Sequence, residues 1–285
     1  MLTNEERIRI INKIEELLNK ALSDDRLWDN FFIKKQIEKR EKIGKQFKCN
    51  IDDCTRAMIY SFLSSQNEWD RVERKLDKLE VIFMNFNSEK ILKNDPERLA
   101  QMLVGGDLKL GTQSTRKQMI ALHYNIKKLK AIQQEYEYVS DFYDKIIESE
   151  NGLEGYKLLV KRLAIKSRNS NDKMEQMGLP LVAEYLRNLG YDIPKPDRHI
   201  LRILGPEILG EHDSANYESD KLKLEIFDII DEYAKVTNKT RSEIDYLFWA
   251  YCANKYGEVC TKISPKCCQC AIKDYCIKYK IANSK

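Results

Sequence analysis

Four cysteines near the end of the chain have the spacing of a metal-binding loop. The pattern C-x6-C-x2-C-x5-C is formed by Cys260, Cys267, Cys270 and Cys276, all within 17 residues. Such a density of thiolates suits a metal that prefers sulfur, and a [4Fe-4S] cluster and a tetrahedral zinc ion are the two candidates. Disulfides are the alternative, although pairs so close in sequence would close small, strained rings. The adjacent Cys268 would point elsewhere and is left without a role.

A second segment with chemical potential lies between residues 174 and 204. Its residues predict a tight turn at Gly178, a helix over about 181–189, an extended Pro-x-Pro linker and a second helix that starts at Asp197. An Asp after Pro196 and before a helix is a favoured N-cap, which explains Asp197 without catalysis. A capped carboxylate is also held rigidly, so it can stabilise positive charge that develops beside it.

The elements that must position these residues are predicted to be helices. Apolar positions recur at helical spacing throughout, no stretch shows sustained two-residue alternation, and about a dozen helices are expected in an all-α chain. Residues 34–48 are basic and predict a linker or a surface helix, whereas 205–244 carry no motif. Helices are expected at 3–22 (opened by a Thr3-x-x-Glu6 capping box), 57–63, 71–86, from Asp95-Pro96 to the Gly105 break, 115–134, 140–147, 155–165 and 245–252.

The composition is typical of a globular protein with one or two domains. The chain has 285 residues, of which 42% are hydrophobic and 33% charged. The start shows no signal-peptide pattern, and charges interrupt every apolar run well short of a membrane span. A cytoplasmic protein without a membrane partner is therefore expected. In that reducing compartment the eight cysteines fit metal-bound thiolates better than disulfides.

Positive charge is concentrated at the C-terminal end. Residues 254–285 contain seven lysines against two acidic residues, although the whole chain carries a net charge of only +4. Lys262, Lys266 and Lys273 lie among the four cysteines. A polyanion such as DNA could be held there through its phosphates, and a solvated lysine-rich tail is the alternative explanation.

Three features together resemble the endonuclease III branch of the helix-hairpin-helix (HhH-GPD) DNA glycosylases. They are the C-x6-C-x2-C-x5-C loop, the apolar helix over 245–252 ahead of it, and the run from Asp197 to Arg202, which is similar to the family signature Asp-x-His-Ile-x-Arg. The resemblance covers roughly residues 50–280. It implies an all-α, two-lobed helix-hairpin-helix glycosylase fold with an iron-sulfur cluster loop. The expected domains are 1–49 (N-terminal helices packing with the C-terminal lobe), 50–192 (a helical barrel with the hairpin) and 193–285 (C-terminal helices and the cluster loop).

The same resemblance implies a function in base excision repair. The expected enzyme is a nucleoid-associated monomer that binds double-stranded DNA, flips a damaged, modified or mispaired base and hydrolyses its N-glycosidic bond. Asp197 would stabilise the oxocarbenium-like transition state, while His199 and Arg202 are assigned to packing and phosphate contact. The resemblance also makes the four cysteines the ligands of a [4Fe-4S] cluster. The expected DNA contacts are Gln66, Gly178, Leu179, Leu181, Arg198, Lys262 and Lys266; by residue type alone, Gln66 is a surface or capping residue.

Two departures from the family pattern bear on mechanism. Bifunctional members carry a nucleophilic Lys two residues before an Ala in the hairpin's second helix, and alignment on Ala183 places Leu181 there. We therefore expect a monofunctional glycosylase that leaves an abasic site. Lys173 and Lys195 flank the segment and are the alternative candidates for a nucleophile. The hairpin also has Pro180 in place of the family's second Gly, which removes one backbone N–H from the phosphate grip.

Two other functions stay open on the sequence. The altered hairpin and the missing Lys fit a non-catalytic iron-sulfur DNA-binding protein on the same fold, although the presence of Asp197 argues against it. The cysteine spacing alone also fits a zinc-stapled helical protein that has no nucleic-acid role.

Overall fold

Every regular element in the described part of the chain is a helix. The structure is a computed structural model, and it describes residues 2–65, 67–105, 107–168 and 171–284. The α-helices of these residues are α1 (Asn4–Ala21), α2 (Phe32–Ile43), α3 (Ile51–Ser64), α4 (Trp69–Glu73), α5 (Leu76–Ile82), α6 (Ser88–Leu92), α7 (Pro96–Val104), α8 (Thr115–Glu135), α9 (Val139–Glu148), α10 (Leu153–Ala164), α11 (Leu179–Asn188), α12 (Arg198–Ile203), α13 (Asp220–Thr237), α14 (Arg241–Cys252) and α15 (Ile277–Asn283). Short 3-10 helices lie at Asp24–Arg26, Trp28–Asn30, Gly44–Gln46, Cys267–Gln269 and Lys273–Tyr275. The all-α prediction is confirmed. In the part of the chain described, no helix combines the length and the apolar character that a bilayer crossing requires.

Helix starts that carry a capping signal lie where the sequence places them. The backbone N–H of Thr3 donates to the carboxylate of Glu6 at 2.8 Å, and the N–H of Glu6 donates back to the Thr3 hydroxyl at 3.3 Å. Asp95 caps α7 by accepting the N–H of Glu97 at 3.0 Å, with Pro96 as the first helical residue. These caps supply acceptors to N–H groups that a helix start otherwise leaves unpaired.

The prediction of a single helix over 71–86 is wrong. The structure has α4 and α5 there, separated where Lys75 takes the non-helical angles φ −128° and ψ 13°. The expected end of that helix is also displaced, since Met84, Asn85 and Phe86 have φ of 51°, 55° and 58°. Three consecutive left-handed residues end a right-handed helix because their carbonyl groups turn away from its axis.

The chain divides into two compact units. One joins residues 1–38 to 192–285, and the other consists of residues 39–191, so α2 contains a unit boundary. We predicted that the N-terminal helix groups with the C-terminal residues, with limits at 49/50 and 192/193.

In the unit of residues 39–191, α3 packs against both α8 and α11. Its Met58 and Phe62 are fully buried. The Ser61 hydroxyl donates to the carbonyl oxygen of Leu181 at 2.6 Å, which fixes the first turn of α11 to α3. The start of α11 is therefore held by a core helix of its own unit.

In the other unit, α1, α13 and α14 pack against one another and α12 packs on α14. A buried ion pair lies within this group, where the Arg7 guanidinium contacts the Glu211 carboxylate at 2.8 Å. The Tyr233 hydroxyl donates to the same carboxylate at 3.0 Å. Because Glu211 is fully buried, loss of Arg7 would leave the Glu211 carboxylate without a cationic partner and destabilise this unit strongly.

Candidate active site and cysteine loop

The extended segment that leads into Asp197 is fixed along α14. Asp192 accepts the backbone N–H of Ser242 at 2.8 Å, at the first turn of that helix. Three residues further on, the backbone N–H of Lys195 donates to Asp245 at 2.9 Å. The Asp245 side chain is almost fully buried. Two contacts to one helix therefore set the position from which Asp197 begins α12.

Asp197 itself is the N-cap of α12. Its Oδ1 accepts the N–H groups of His199 at 2.8 Å and Ile200 at 3.3 Å, with extended backbone angles of φ −88° and ψ 178°. The capping role considered for this residue is thus confirmed, and it is compatible with catalysis. A half-buried carboxylate with two backbone donors is a fixed negative charge that needs little reorganisation to stabilise a developing cation.

The other polar residues of α12 have separate roles. Burial lowers the pKa of the His199 imidazole, which favours its neutral form. Arg198 is exposed at the first helical position. We expected Arg202 to contact a DNA phosphate. Its guanidinium instead donates to the backbone carbonyl oxygen of Cys260. The helix that Asp197 caps is therefore joined to the cysteine loop, residues 260–276.

The hairpin turn before α11 leaves one backbone donor open. Gly178 is the N-cap and offers no side-chain acceptor. The N–H groups of Leu181 and Val182 both donate to the Gly178 carbonyl oxygen at 3.0 Å, and Pro180 has no N–H. The N–H of Leu179 has no acceptor among the described residues. Leu179 as a whole is only 2% exposed, so the exposed Gly178 beside it is the part of this turn that a ligand can reach.

A lysine nucleophile is absent from the whole of α11. The helix reads LPLVAEYLRN, with Leu181 half-buried in its first turn. Of the two flanking lysines, Lys195 is buried and Lys173 is half-buried before the turn. Gln66, the residue expected to enter the space left by a flipped base, lies outside the described residues.

The four cysteines of the loop surround one cavity. Cys260, Cys267, Cys270 and Cys276 line a cavity of about 30 Å³, together with apolar residues that include Val259 and Ile272. Cys268 is exposed and does not line it. Among the described residues, no three His, Cys, Asp or Glu side chains are grouped closely enough to hold a single metal ion.

Groups from α12 and α14 contact the sulfur atoms of this loop. The buried Cys252 thiol donates to the sulfur of Cys260, and this bond, aided by the charge of Arg202, lowers the pKa of Cys260. The hydroxyl of Tyr251 donates to Cys270 Sγ at 3.3 Å. This shift does not extend to the other cysteines of the cavity, because burial raises the pKa of Cys270 and Cys276.

Two lysines of the loop differ in their surroundings. Lys262 is exposed, and no ion pair is seen for it within the described residues. Lys266 is also exposed, but its Nζ lies 3.3 Å from the carboxylate of Glu258. Lys262 is therefore the freer of the two to meet a phosphate.

Several of these residues were not singled out from the sequence. Asp192, Asp245, Tyr251 and Cys252 lie in or before α14, where their residue types suggest ordinary capping and core positions. For Tyr251 and Cys252, a position shortly before the first loop cysteine was the only available signal, because no spacing rule connects them with a ligand.

The comparisons with known proteins bear on the fold. No family model and no curated protein sequence matches the chain. Among solved structures, the chain resembles the 8-oxoguanine glycosylase/lyase of Methanocaldococcus jannaschii, which was crystallised in complex with a 15mer DNA containing 8-oxoguanine. The two share 23% identity with a TM-score of 0.51, over 84% of this chain and 95% of that one. The chain thus has the fold of the helix-hairpin-helix glycosylases, as predicted.

Proposed function

We propose that the protein is a DNA glycosylase of base excision repair, with Asp197 as its catalytic residue. The observation that carries the proposal is the Asp197 carboxylate, fixed by two backbone N–H groups at the start of α12 in a fold shared with a DNA-bound glycosylase. The substrate would be double-stranded DNA from which a damaged, modified or mispaired base is flipped.

The chemistry asked of Asp197 is electrostatic. As the bond between the base and the deoxyribose breaks, the sugar gains positive charge, and a preorganised carboxylate stabilises that charge. The same group can orient the attacking water. Since His199 is held neutral by burial, it adds no competing positive charge next to the carboxylate.

The start of α11 supports a contact with a DNA phosphate. The exposed, side-chain-free Gly178 offers a close backbone approach at the positive end of a helix dipole, next to the Leu179 N–H that has no acceptor among the described residues. In this proposal Arg198, Lys262 and Lys266 add phosphate contacts, and Leu181 lies at the same helix start. Gln66 keeps the role of filling the space of the flipped base.

We also propose that the enzyme releases a base without cutting the strand. Strand cleavage by a glycosylase needs an amine that attacks the sugar, and α11 contains no lysine in any register. The structural neighbour is described as a glycosylase/lyase, so the two proteins would differ at this step. The burial of Lys195 and the position of Lys173 outside α11 support the same conclusion.

The cofactor that we propose is a [4Fe-4S] cluster held by the four loop cysteines. The donor set fits, because four thiols converge on one cavity. The choice of iron over zinc rests on the resemblance of the cysteine spacing to the cluster loop of the helix-hairpin-helix glycosylases. With four protein ligands the cluster has no open site, so it would stabilise the loop and orient DNA.

In the decisive experiment, the protein is incubated with a panel of DNA duplexes, beginning with one that contains 8-oxoguanine. Each product is analysed with and without alkali treatment. We expect strand breaks only after alkali, and none with the variant Asp197→Asn. Breaks without alkali, together with a borohydride-trapped adduct, would contradict the monofunctional proposal and direct attention to Lys173 and Lys195. A protein that binds every duplex but releases no base would be the non-catalytic DNA-binding protein instead.

A further inference from the structure

Tyr251 contacts the cysteine loop at two of the four cysteines that line its cavity. The residue lies in the last turn of α14, and its side chain is fully buried. Its backbone carbonyl oxygen accepts the N–H groups of Val259 at 3.0 Å and Cys260 at 3.2 Å. Its hydroxyl donates to Cys270 Sγ at 3.3 Å. A single residue therefore fixes the backbone of the first loop cysteine and the sulfur of the third.

The direction of the hydroxyl proton follows from its other contact. The N–H of Ala271 donates to the Tyr251 oxygen at 2.9 Å, which uses that oxygen as an acceptor. A phenol has one proton, and the sulfur of Cys270 lies within hydrogen-bond distance to receive it.

A purely structural explanation does not account for this partner. A buried tyrosine hydroxyl needs a hydrogen bond, and an oxygen atom is a stronger acceptor than sulfur. Tyr233, which is buried in the same unit, donates to the carboxylate of Glu211 in the expected way. The hydroxyl of Tyr251 is instead placed on a cysteine that faces the cavity.

We propose that Tyr251 is a positioning residue for the cluster, which retains it in the loop and raises its reduction potential. The inference rests on the proposed [4Fe-4S] cofactor and assigns Tyr251 no contact with the substrate. A hydrogen bond to a ligand sulfur stabilises the more negative, reduced form of a cluster, so the potential rises. The bond also orients Cys270, which reduces the rate at which the loop opens and releases iron.

The test compares Tyr251→Phe with Tyr279→Phe in the full-length protein, purified anaerobically. Tyr279 lines the same cavity, but no hydrogen bond from its hydroxyl to a cysteine is seen in the described residues. The measurements are iron and sulfide content, the midpoint potential by spectroelectrochemistry, and the rate of bleaching by a chelator. We expect Tyr251→Phe to load the cluster, to show a more negative midpoint and to bleach about 10-fold faster, whereas Tyr279→Phe matches the wild type.

A third variant distinguishes the loss of the hydrogen bond from a folding defect. Incorporation of 3-fluorotyrosine at position 251 alone keeps the ring and makes the hydroxyl a stronger donor, so the midpoint should move in the positive direction. Opposite shifts with Phe and with fluorotyrosine cannot come from a loss of packing. If both proteins keep the wild-type midpoint and bleaching rate, Tyr251 has no such role, and the cofactor proposal is unaffected. A folded wild-type protein that takes up no iron would refute the cofactor itself.

Discussion

The two helices to which the proposed function assigns roles, α11 and α12, begin with different caps. At the start of α11, Gly178 supplies no side-chain acceptor and the N–H of Leu179 is left open. At the start of α12, the carboxylate of Asp197 accepts two N–H groups of its own helix. Every helix start presents unpaired donors, which are satisfied either from within the chain or by a ligand.

This difference separates binding from chemistry. At the start of α11, a backbone N–H can donate to an oxygen of another molecule, such as a phosphate, because no acceptor in its own turn competes for it. The start of α12 uses the N–H groups of His199 and Ile200 to hold a carboxylate still. We infer that α11 contributes affinity for DNA and that α12 contributes the catalytic charge.

The strongest test of the comparison is Asp197→Asn. Asparagine is as good an N-cap as aspartate, so α12 should remain folded with an unchanged melting temperature. The negative charge is lost, and we expect base release to fall by about 100-fold or more while DNA binding is retained. The measurement is single-turnover release of the base, with alkali treatment to reveal abasic sites.

A matched control uses the same substitution at another cap. Asp95 accepts a backbone N–H at the start of α7, and Asp95→Asn should leave base release at the wild-type rate. Equal loss in the two variants would mean that the caps matter only for folding, and the assignment of Asp197 would be wrong.

The variant Gly178→Asp would close the open helix start. Space is available, since a Cβ at this position would meet no atom within 4 Å. The new carboxylate would cap α11, raising stability slightly, and would repel a phosphate. We expect DNA affinity to fall by about 10-fold. Gly178→Asn is the control, because it caps without charge and should weaken binding less. Wild-type affinity in both variants would exclude this turn from the DNA interface.

Most of the local fold could be predicted from the sequence, because its signals are local. The Thr3 capping box, the Asp95-Pro96 start of α7 and the Asp197 start of α12 each depend on residues within one turn. The division of 71–86 into α4 and α5 could not be predicted in this way. Met84, Asn85 and Phe86 adopt left-handed backbone although none is a glycine, and nothing in their residue types signals it.

The same distinction between local and long-range signals applies to the residues of the candidate site. The loop cysteines and Asp197 were found from spacing and from a short signature. The contacts that Tyr251 and Arg202 make with the loop join residues 19 and 58 positions apart, so they depend on how α12 and α14 pack. The bonds from the N–H groups of Leu181 and Val182 to the carbonyl oxygen of Gly178 were likewise hidden, because only the folded turn reveals them.

A smaller effect is expected from the lysines of the cysteine loop. Each lysine that contacts a phosphate adds about 0.9 to the slope of log affinity against log salt concentration. We expect Lys262→Ala to reduce the slope by about that amount and to weaken binding a few-fold. Lys266→Ala should change it less, because Lys266 already contacts Glu258. Equal changes would show that this ion pair opens on DNA, and no change in either would place DNA away from the loop.

The smallest expected effect is a dependence of the protein's stability on pH. It arises at the start of α12 and not at that of α11, since the first turn of α11 contains no titratable side chain. Burial lowers the pKa of His199 below its ordinary 6.5, while Asp197 opposes the shift and Arg202 and Lys195 add to it. As pH falls through 6.5, the unfolded chain takes up a proton more readily than the folded one, so stability decreases below that pH.

The test is His199→Gln, compared with the wild type by thermal unfolding at pH 7.5 and pH 5.5. The variant lacks the titrating group, so its melting temperature should fall less on acidification, with a difference on the order of 2 °C. If the two proteins lose the same amount, His199 is protonated as easily in the folded protein as in the unfolded chain. The carboxylate of Asp197 would then have an imidazolium as its neighbour, and the catalytic charge assigned to α12 would be partly cancelled at acidic pH.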